Sequence, residues 1–435
     1  MQNPASCYAH PVGATKTDIS TPLPCLASIR RSFDPGHIEN IEAAVGAALE
    51  GSGAAVRHGA SIAIAVGSRG IANLSVIVRE TVRFLKRKGA LPFIVPAMGS
   101  HGGATAEGQE AVLAGYGITE EGVGAPVRSS MEVIELPRED LPVPVYMDRL
   151  AWQSDGVVLV NRVKPHTDYH GAPESGLMKM AVIGLGKQAQ ALVIHARGVD
   201  GLKTLISPIA RRIFATGKIL LGLGIVENAC DQTLLVRAAL PEAIETVERE
   251  MLAAAQDRMP ALPFGHLDVL IIDEMGKDIS GVGLDPNIIG RIRVFAQEEP
   301  AWPVIKTIVV TDLTEASHGN ALGMGLADII TRRLRQKIDF RATYENLVTS
   351  TFLERGKMPM VVETDRQALE VALRTSWIIP GEEPRVARIR NTLRLERMFV
   401  SRPVLEEIRG RETVEVLGDF RDPFDESGSF VPFES

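Results

Sequence analysis

Nine histidines are spread over 435 residues, yet three of them, His166, His170 and His195, fall between positions 165 and 195 together with Lys179 and Lys187. Imidazole titrates near neutrality, so a histidine can accept and return a proton or ligate a metal. A lysine in an apolar run can lose its charge and serve as a nucleophile or covalent anchor. Lys179 stands in such a run, LMKMAVIGLG; the alternative is a packed stem with the ammonium in solvent. His166 and His170 are four apart, which on a helix would put two metal ligands on one face. Gly171, Pro173 and Gly176 argue against a helix there. Asp168 and Glu174 could orient a histidine through its second nitrogen, or the segment is a polar surface loop. Lys187 follows Gly184 and Gly186, but Gly-x-Gly-Lys without the full phosphate-loop spacing is a weak pattern. His195 falls in KQAQALVIHARG, a helical pattern on which a lone histidine is commonly structural.

Further chemistry-bearing residues lie on either side. His101 sits in MGSHGGAT, between a strand and a helix, where glycines let the backbone approach a ligand and the helix start favours an anion. A capped tight turn with a solvent-facing His101 is the alternative. Arg69 follows another strand. In DEMGKDISGVGLDPNIIGRIR (273–293), charges and glycines collect as in a binding loop. Arg291 and Arg293 could hold a carboxylate bidentately, while Asp273, Glu274, Asp278 and Asp285 could equally be a solvated rim. His318, in EASHGNALGMG, is one more polar, glycine-rich point.

These residues need elements to position them. SIAIAVG (61–67) and DGVVLVN (155–161) read as fully buried strands, and 91–96 as a third. NLSVIVRETVRFLKRKG is an amphipathic helix closed by Gly89, and a further helix runs from Ala106 to about Ala114. Strand–helix–strand–helix order implies a parallel sheet with crossovers. Arg69, His101 and His166 each follow an apolar strand, so they sit at the carboxyl edge where open α/β sheets bind ligands. Helices are expected near 203–216 and 240–256. Pro260-Ala-Leu-Pro263 marks a boundary, after which strands 267–272 and 305–310 and helices 322–336 and 365–376 form a second sheet domain. Residues 1–35 read as an irregular arm or edge strand. The expected architecture is α/β: an N-terminal domain over 1–262 carrying the histidines and lysine, a C-terminal domain over 263–400 closing an active-site cleft between them, and a tail over 401–435.

Composition narrows the class. The length fits two domains, and 45% hydrophobic with 23% charged residues is ordinary globular usage. The net charge of −7 argues against a general nucleic-acid partner, which needs a basic surface. Cys7, Cys25 and Cys230 are odd in number and far apart, giving neither a disulfide framework nor a paired-cysteine metal site. The N-terminus lacks the basic start and apolar run of a secretory signal, and no window approaches a membrane span. The expectation is a soluble, cytoplasmic protein acting on a small molecule.

Taken in order, the segments resemble the nickel-pincer lactate racemase family over roughly residues 50–400. The resemblance rests on Arg69 after an early strand and Gly-Ser-His at His101. It continues with Pro-His at His166, Ser-Gly-x-x-Lys from Ser175 and Gly176 to Lys179, and His195 sixteen residues beyond. Leu-Asp-x-Asn-Ile (284–288), with Arg293 five residues further on, extends it into the second domain. Each piece is weak alone; order and spacing together are specific.

The resemblance implies a nickel-pincer nucleotide, a pyridinium mononucleotide holding nickel through sulfur and carbon. Lys179 would anchor it covalently, with Ser175 and Gly176 beside it, and His195 would ligate nickel. His101 and His166 would be the two acid/base groups, and Arg69 with Arg293 the clamp on a 2-hydroxy acid carboxylate. The implied activity is racemisation or epimerisation at C2. The chain departs from the family by the insertion DYHGAPE, which brings in His170, by Ile289-Gly290 where the lactate enzyme has Tyr-Gln, and by an arginine at its clamp lysine. These departures imply a bulkier or more polar 2-hydroxy acid than lactate. The competing readings are a zinc or nickel hydrolase or lyase using His166, His170 and His195, and a nickel- or nucleotide-binding protein without turnover.

Overall fold

Ser61–Val66 and Gly156–Arg162, the two runs with unbroken apolar patterns, lie side by side in the middle of a five-stranded sheet. In this computed structural model, which describes residues 22–67, 70–295 and 297–433, the chain divides into two compact units. One is Phe33–Pro260; the other joins the described part of Met1–Ser32 to Ala261–Ser435.

In the Phe33–Pro260 unit the strand order is Leu91–Pro96, Ser61–Val66, Gly156–Arg162, Ile219–Glu227, Thr233–Ala239. The first four are parallel and the last is antiparallel to its neighbour. Parallel strands covered on both faces carry continuous apolar runs. Here Ile62, Ile64, Val66, Val158, Val160 and Leu223 pack against Ile77, Val78 and Leu85 of the helix Leu74–Arg87. Because the four strands run the same way, the segments after Val66, Pro96 and Arg162 leave from one edge. That edge carries the His101 and His166 loops.

The second sheet has eight strands in the order Met360–Val362, Ile329–Thr331, Val304–Leu313, His266–Met275, Val386–Ile389, Arg397–Val400, Ala27–Arg31, Val414–Val416. The first five are parallel and the last three antiparallel. Both units are therefore α/β with mostly parallel sheets.

Three expectations differ from what is found. Ala27–Arg31 does not belong with the histidine-bearing unit: it is inserted between Arg397–Val400 and Val414–Val416, a pairing across nearly the whole chain. The residues beyond 400 are not merely a tail, since Arg402–Ile408 is a helix and Val414–Val416 a strand. The helix expected over 322–336 is instead a short turn at Met324–Leu326, the strand Ile329–Thr331 and the helix Arg332–Lys337. Asp328 breaks the pattern there by accepting the backbone N–H of Ile308 at 2.8 Å. No single helix among the described residues is long and apolar enough to cross a membrane.

Candidate functional site

The His166 loop is closed at its base by Lys164 and Ser175, which exchange backbone hydrogen bonds of 2.9 and 3.3 Å. Inside it, the buried Glu174 carboxylate accepts the His166 N–H at 2.6 Å and the Gly171 N–H at 3.1 Å. The inserted DYHGAPE segment is thus folded around a glutamate of its own. The His166 ring lies 4.5 Å from the ring of buried Tyr169, centroid to centroid. Tyr169 donates its O–H to the Pro173 carbonyl at 3.3 Å; burial, then the Glu174 charge, push its phenol far above the usual value. His170 is exposed, with Nδ1 3.6 Å from Glu174 Oε1. Glu174 therefore orients the backbone of His166 rather than its ring.

Lys179 ends the helical turn Leu177–Lys179, which begins at Gly176. Two groups outside the local segment hold that turn. Asn161, on the strand before the His166 loop, donates to the Gly176 carbonyl at 2.8 Å. From the helix Ile244–Arg258, the buried Glu248 accepts the Met178 N–H through Oε2 at 2.9 Å. A Cβ on residue 176 would meet the Glu248 carboxyl carbon at 2.4 Å, so glycine is needed for this approach. Burial pushes the Glu248 carboxyl up to about 7, against the pull of the Met178 and Leu177 N–H groups. Its Oε1 has no hydrogen-bond partner among the described residues.

Lys179 Nζ contacts His166 Nε2 directly. On the other side of that ring, Nδ1 accepts the backbone N–H of Asp168 at 3.0 Å, while the Asp168 carboxylate is 3.7 Å away. With Nδ1 accepting, a neutral His166 carries its proton on Nε2. His195 closes the helix Lys187–His195. Burial first, and then any positive charge on Lys179, lower its pKa, with Asp168 opposing. A neutral imidazole nitrogen is what a metal ion requires. The chain thus brings Lys179, His166 and His195 into one electrostatic neighbourhood, and the donor set fits an anchored, metal-bearing electrophile.

His101 follows the strand Leu91–Pro96 in an exposed turn before the helix Ala106–Gly115, whose first turn is capped by Thr105 accepting the Gly108 N–H at 3.0 Å. Lys187, by contrast, is fully buried. Arg69 lies outside the described residues. Arg293 belongs to the other unit, and its guanidinium is engaged by Asp328 at 2.7 Å and the Gly325 carbonyl at 2.9 Å. Arg291 holds the same aspartate at 2.6 Å. His318 sits in a left-handed turn (φ 47°) after Glu315–Ser317. Among the described residues no group of three or more His, Cys, Asp or Glu is gathered to hold a metal, so His166, His170 and His195 do not form the site that the hydrolase reading requires.

Sequence reasoning passed over Asn161 and Glu248. Glu248 had a signal: it occupies a position on the buried stripe Ile244, Met251, Leu252, Ala255, where a carboxylate needs a reason.

No family profile and no curated protein matches the chain. Among solved structures, the lactate racemase apoprotein of Thermoanaerobacterium thermosaccharolyticum superposes with a TM-score of 0.50 at 13% identity, over 85% of this chain and 99% of that one. A protein of Thermotoga maritima gives 0.45 at 14% identity over 63% and 70% of the two chains, too slight to carry an argument. The first likeness shows a lactate racemase-like fold.

Proposed function

We propose that this chain is a racemase or epimerase inverting C2 of a small 2-hydroxy acid, with a nickel-pincer nucleotide held by Lys179 and His195. The observation that carries this reading is the direct Lys179–His166 contact at the edge of a lactate racemase-like fold. It sets the amine that would form the thioamide link against the imidazole that would transfer a proton. When bound, such a group supplies a hydride acceptor; Ser175 and Gly176 would flank it and the neutral His195 would ligate its nickel.

The chain's own residues have defined tasks. The C2 hydrogen of a hydroxy acid anion is poorly acidic, so it leaves with its electron pair while a histidine takes the hydroxyl proton. The product of that half-reaction is a 2-keto acid, and reversal on its other face gives the opposite configuration with no net oxidation. Inversion needs a base near the hydroxyl in both configurations, and His166 and His101 take these roles. Arg69 would hold the carboxylate. A fixed carboxylate leaves the keto group free to turn.

Protein made in cells that synthesise the nickel-pincer nucleotide should interconvert the enantiomers of at least one member of a 2-hydroxy acid panel. It should also carry stoichiometric nickel and an added mass on the peptide containing Lys179. His166→Ala should abolish interconversion, and Lys179→Ala the added mass. Nickel-loaded protein inert across the panel would refute the reading.

A further inference from the structure

We infer that Lys187 is a positioning residue: its buried ammonium, acting through Gln109, fixes the turn that presents His101. The Gly-x-Gly-Lys motif has no part in the proposed chemistry, yet it places a lysine at zero exposure beside an aspartate at zero exposure. Lys187 opens the helix that ends in His195, with left-handed backbone (φ 54°). Its Nζ lies 3.1 Å from Asp148 Oδ2 and donates to the Pro96 carbonyl and, at 3.2 Å, to Gln109 Oε1.

Each partner has a second attachment. Pro96 ends the strand that leads into the His101 turn. Asp148 also accepts the Ala151 N–H at 2.8 Å, so its carboxylate is fixed from the other side. Gln109 is fully buried on the helix following the turn. Its amide donates to the carbonyls of Gly99 at 2.9 Å and His101 at 3.2 Å. An amide with its oxygen fixed by a cation has its N–H groups aimed without ambiguity. The ammonium thus sets which way Gln109 points, and Gln109 holds the turn at residues 99 and 101. The glycine before this network is part of it: a Cβ at residue 184 would lie 2.7 Å from the Ala97 carbonyl oxygen, so only glycine lets the turn pack this closely.

A buried ion pair is poor evidence of stability alone, whereas a polar network with each member engaged specifies one geometry. Here the geometry specified is that of a proposed base. The helix bearing His195 and the turn bearing His101 are therefore held by one cation.

The inference rests on the reading of His101 as an acid/base, but its test does not need turnover. Hydrogen exchange is measured on the full chain for wild type, Lys187→Met and Gln109→Met. Gln109→Met removes both carbonyl contacts and leaves the Lys187–Asp148 pair in place, so it keeps the test decisive if Lys187→Met fails to fold. In Gln109→Met, amides of residues 98–105 should exchange at least about tenfold faster, while those of 190–195 and 146–151 keep their wild-type rates. In active protein the same variant should lower kcat by about a hundredfold with KM held, the size of one acid/base contribution. Unchanged exchange at 98–105, or acceleration spread evenly over the Phe33–Pro260 unit, would overturn the positioning role. Absence of turnover in wild type would count against the proposed function and leave the exchange result to decide this inference.

Discussion

Glu248 is the residue whose replacement gives the most quantitative test. Its carboxyl moves from 4.5 in the free side chain to about 7 because burial withdraws it from water. At about 1.4 kcal/mol per pH unit, ionising it in the folded unit costs about 3 kcal/mol. The sign follows from proton counting. Between pH 4.5 and 7 the folded carboxyl keeps its proton and the unfolded one has lost it, so unfolding releases a proton. Stability is therefore full below pH 4.5 and declines by about 3 kcal/mol as pH rises through 7. Glu248→Gln keeps an acceptor for the Met178 N–H and removes the titration. The variant should match wild type near pH 4.5 and exceed it by about 3 kcal/mol at pH 8. Trp302 and Trp377 lie in the other unit, so urea unfolding can be read from Trp152 fluorescence in a Trp302→Phe, Trp377→Phe background. Parallel pH profiles for the Glu and Gln forms would show that this carboxyl is not the burdened group the geometry makes it.

Gly176→Ala drives a methyl into that same carboxylate at 2.4 Å; it should destabilise the unit by about 1–3 kcal/mol, measured in the same unfolding assay, and Glu248→Ala should restore most of the loss. The proposed anchor role predicts that an amine-directed acylating reagent at pH 7 modifies Lys179 at least about tenfold faster than exposed Lys357. Equal rates by peptide mass mapping would count against Lys179 as a nucleophilic anchor. With burial and Lys179 both acting against its charged form, His195 should titrate below the ordinary 6.5. An NMR titration against a His195→Gln reference checks this, and a midpoint at or above 6.5 would remove the case for a neutral ligand.

The sequence announced the histidine-bearing sheet well because its strands are covered on both faces, and such strands carry their burial as unbroken runs such as SIAIAV. The carboxyl-edge placement of His101 and His166 followed from strand order alone. What escaped was non-local. Nothing near Ala27–Arg31 indicates that its partners are 397–400 and 414–416. GMGLADIITRRLRQK has apolar spacing compatible with a helix, and the strand within it is only three residues long, too short for periodicity to show. At the site, Lys179 and His195 were visible as residue types. The contacts that hold the Lys179 turn run through Asn161 and Glu248, each set by tertiary packing. Lys187 looked like an incomplete phosphate loop because its partners, Gln109 and Asp148, are brought to it only by the fold.

The pairing of Ala27–Arg31 with strands from the far end of the chain has a consequence for synthesis. Residues 33–260 leave the ribosome as a contiguous stretch with their whole sheet already present, so that unit can fold while the remainder is still being translated. Ala27–Arg31, made earlier, must wait exposed until residues 397–416 emerge. A chain interrupted shortly before its end would therefore hold a finished histidine-bearing unit beside an unpaired strand, a ready template for aggregation. Nonsense truncations near residue 395 should accordingly be recovered as insoluble protein, whereas a fragment spanning 33–260 should be the natural minimal unit to express.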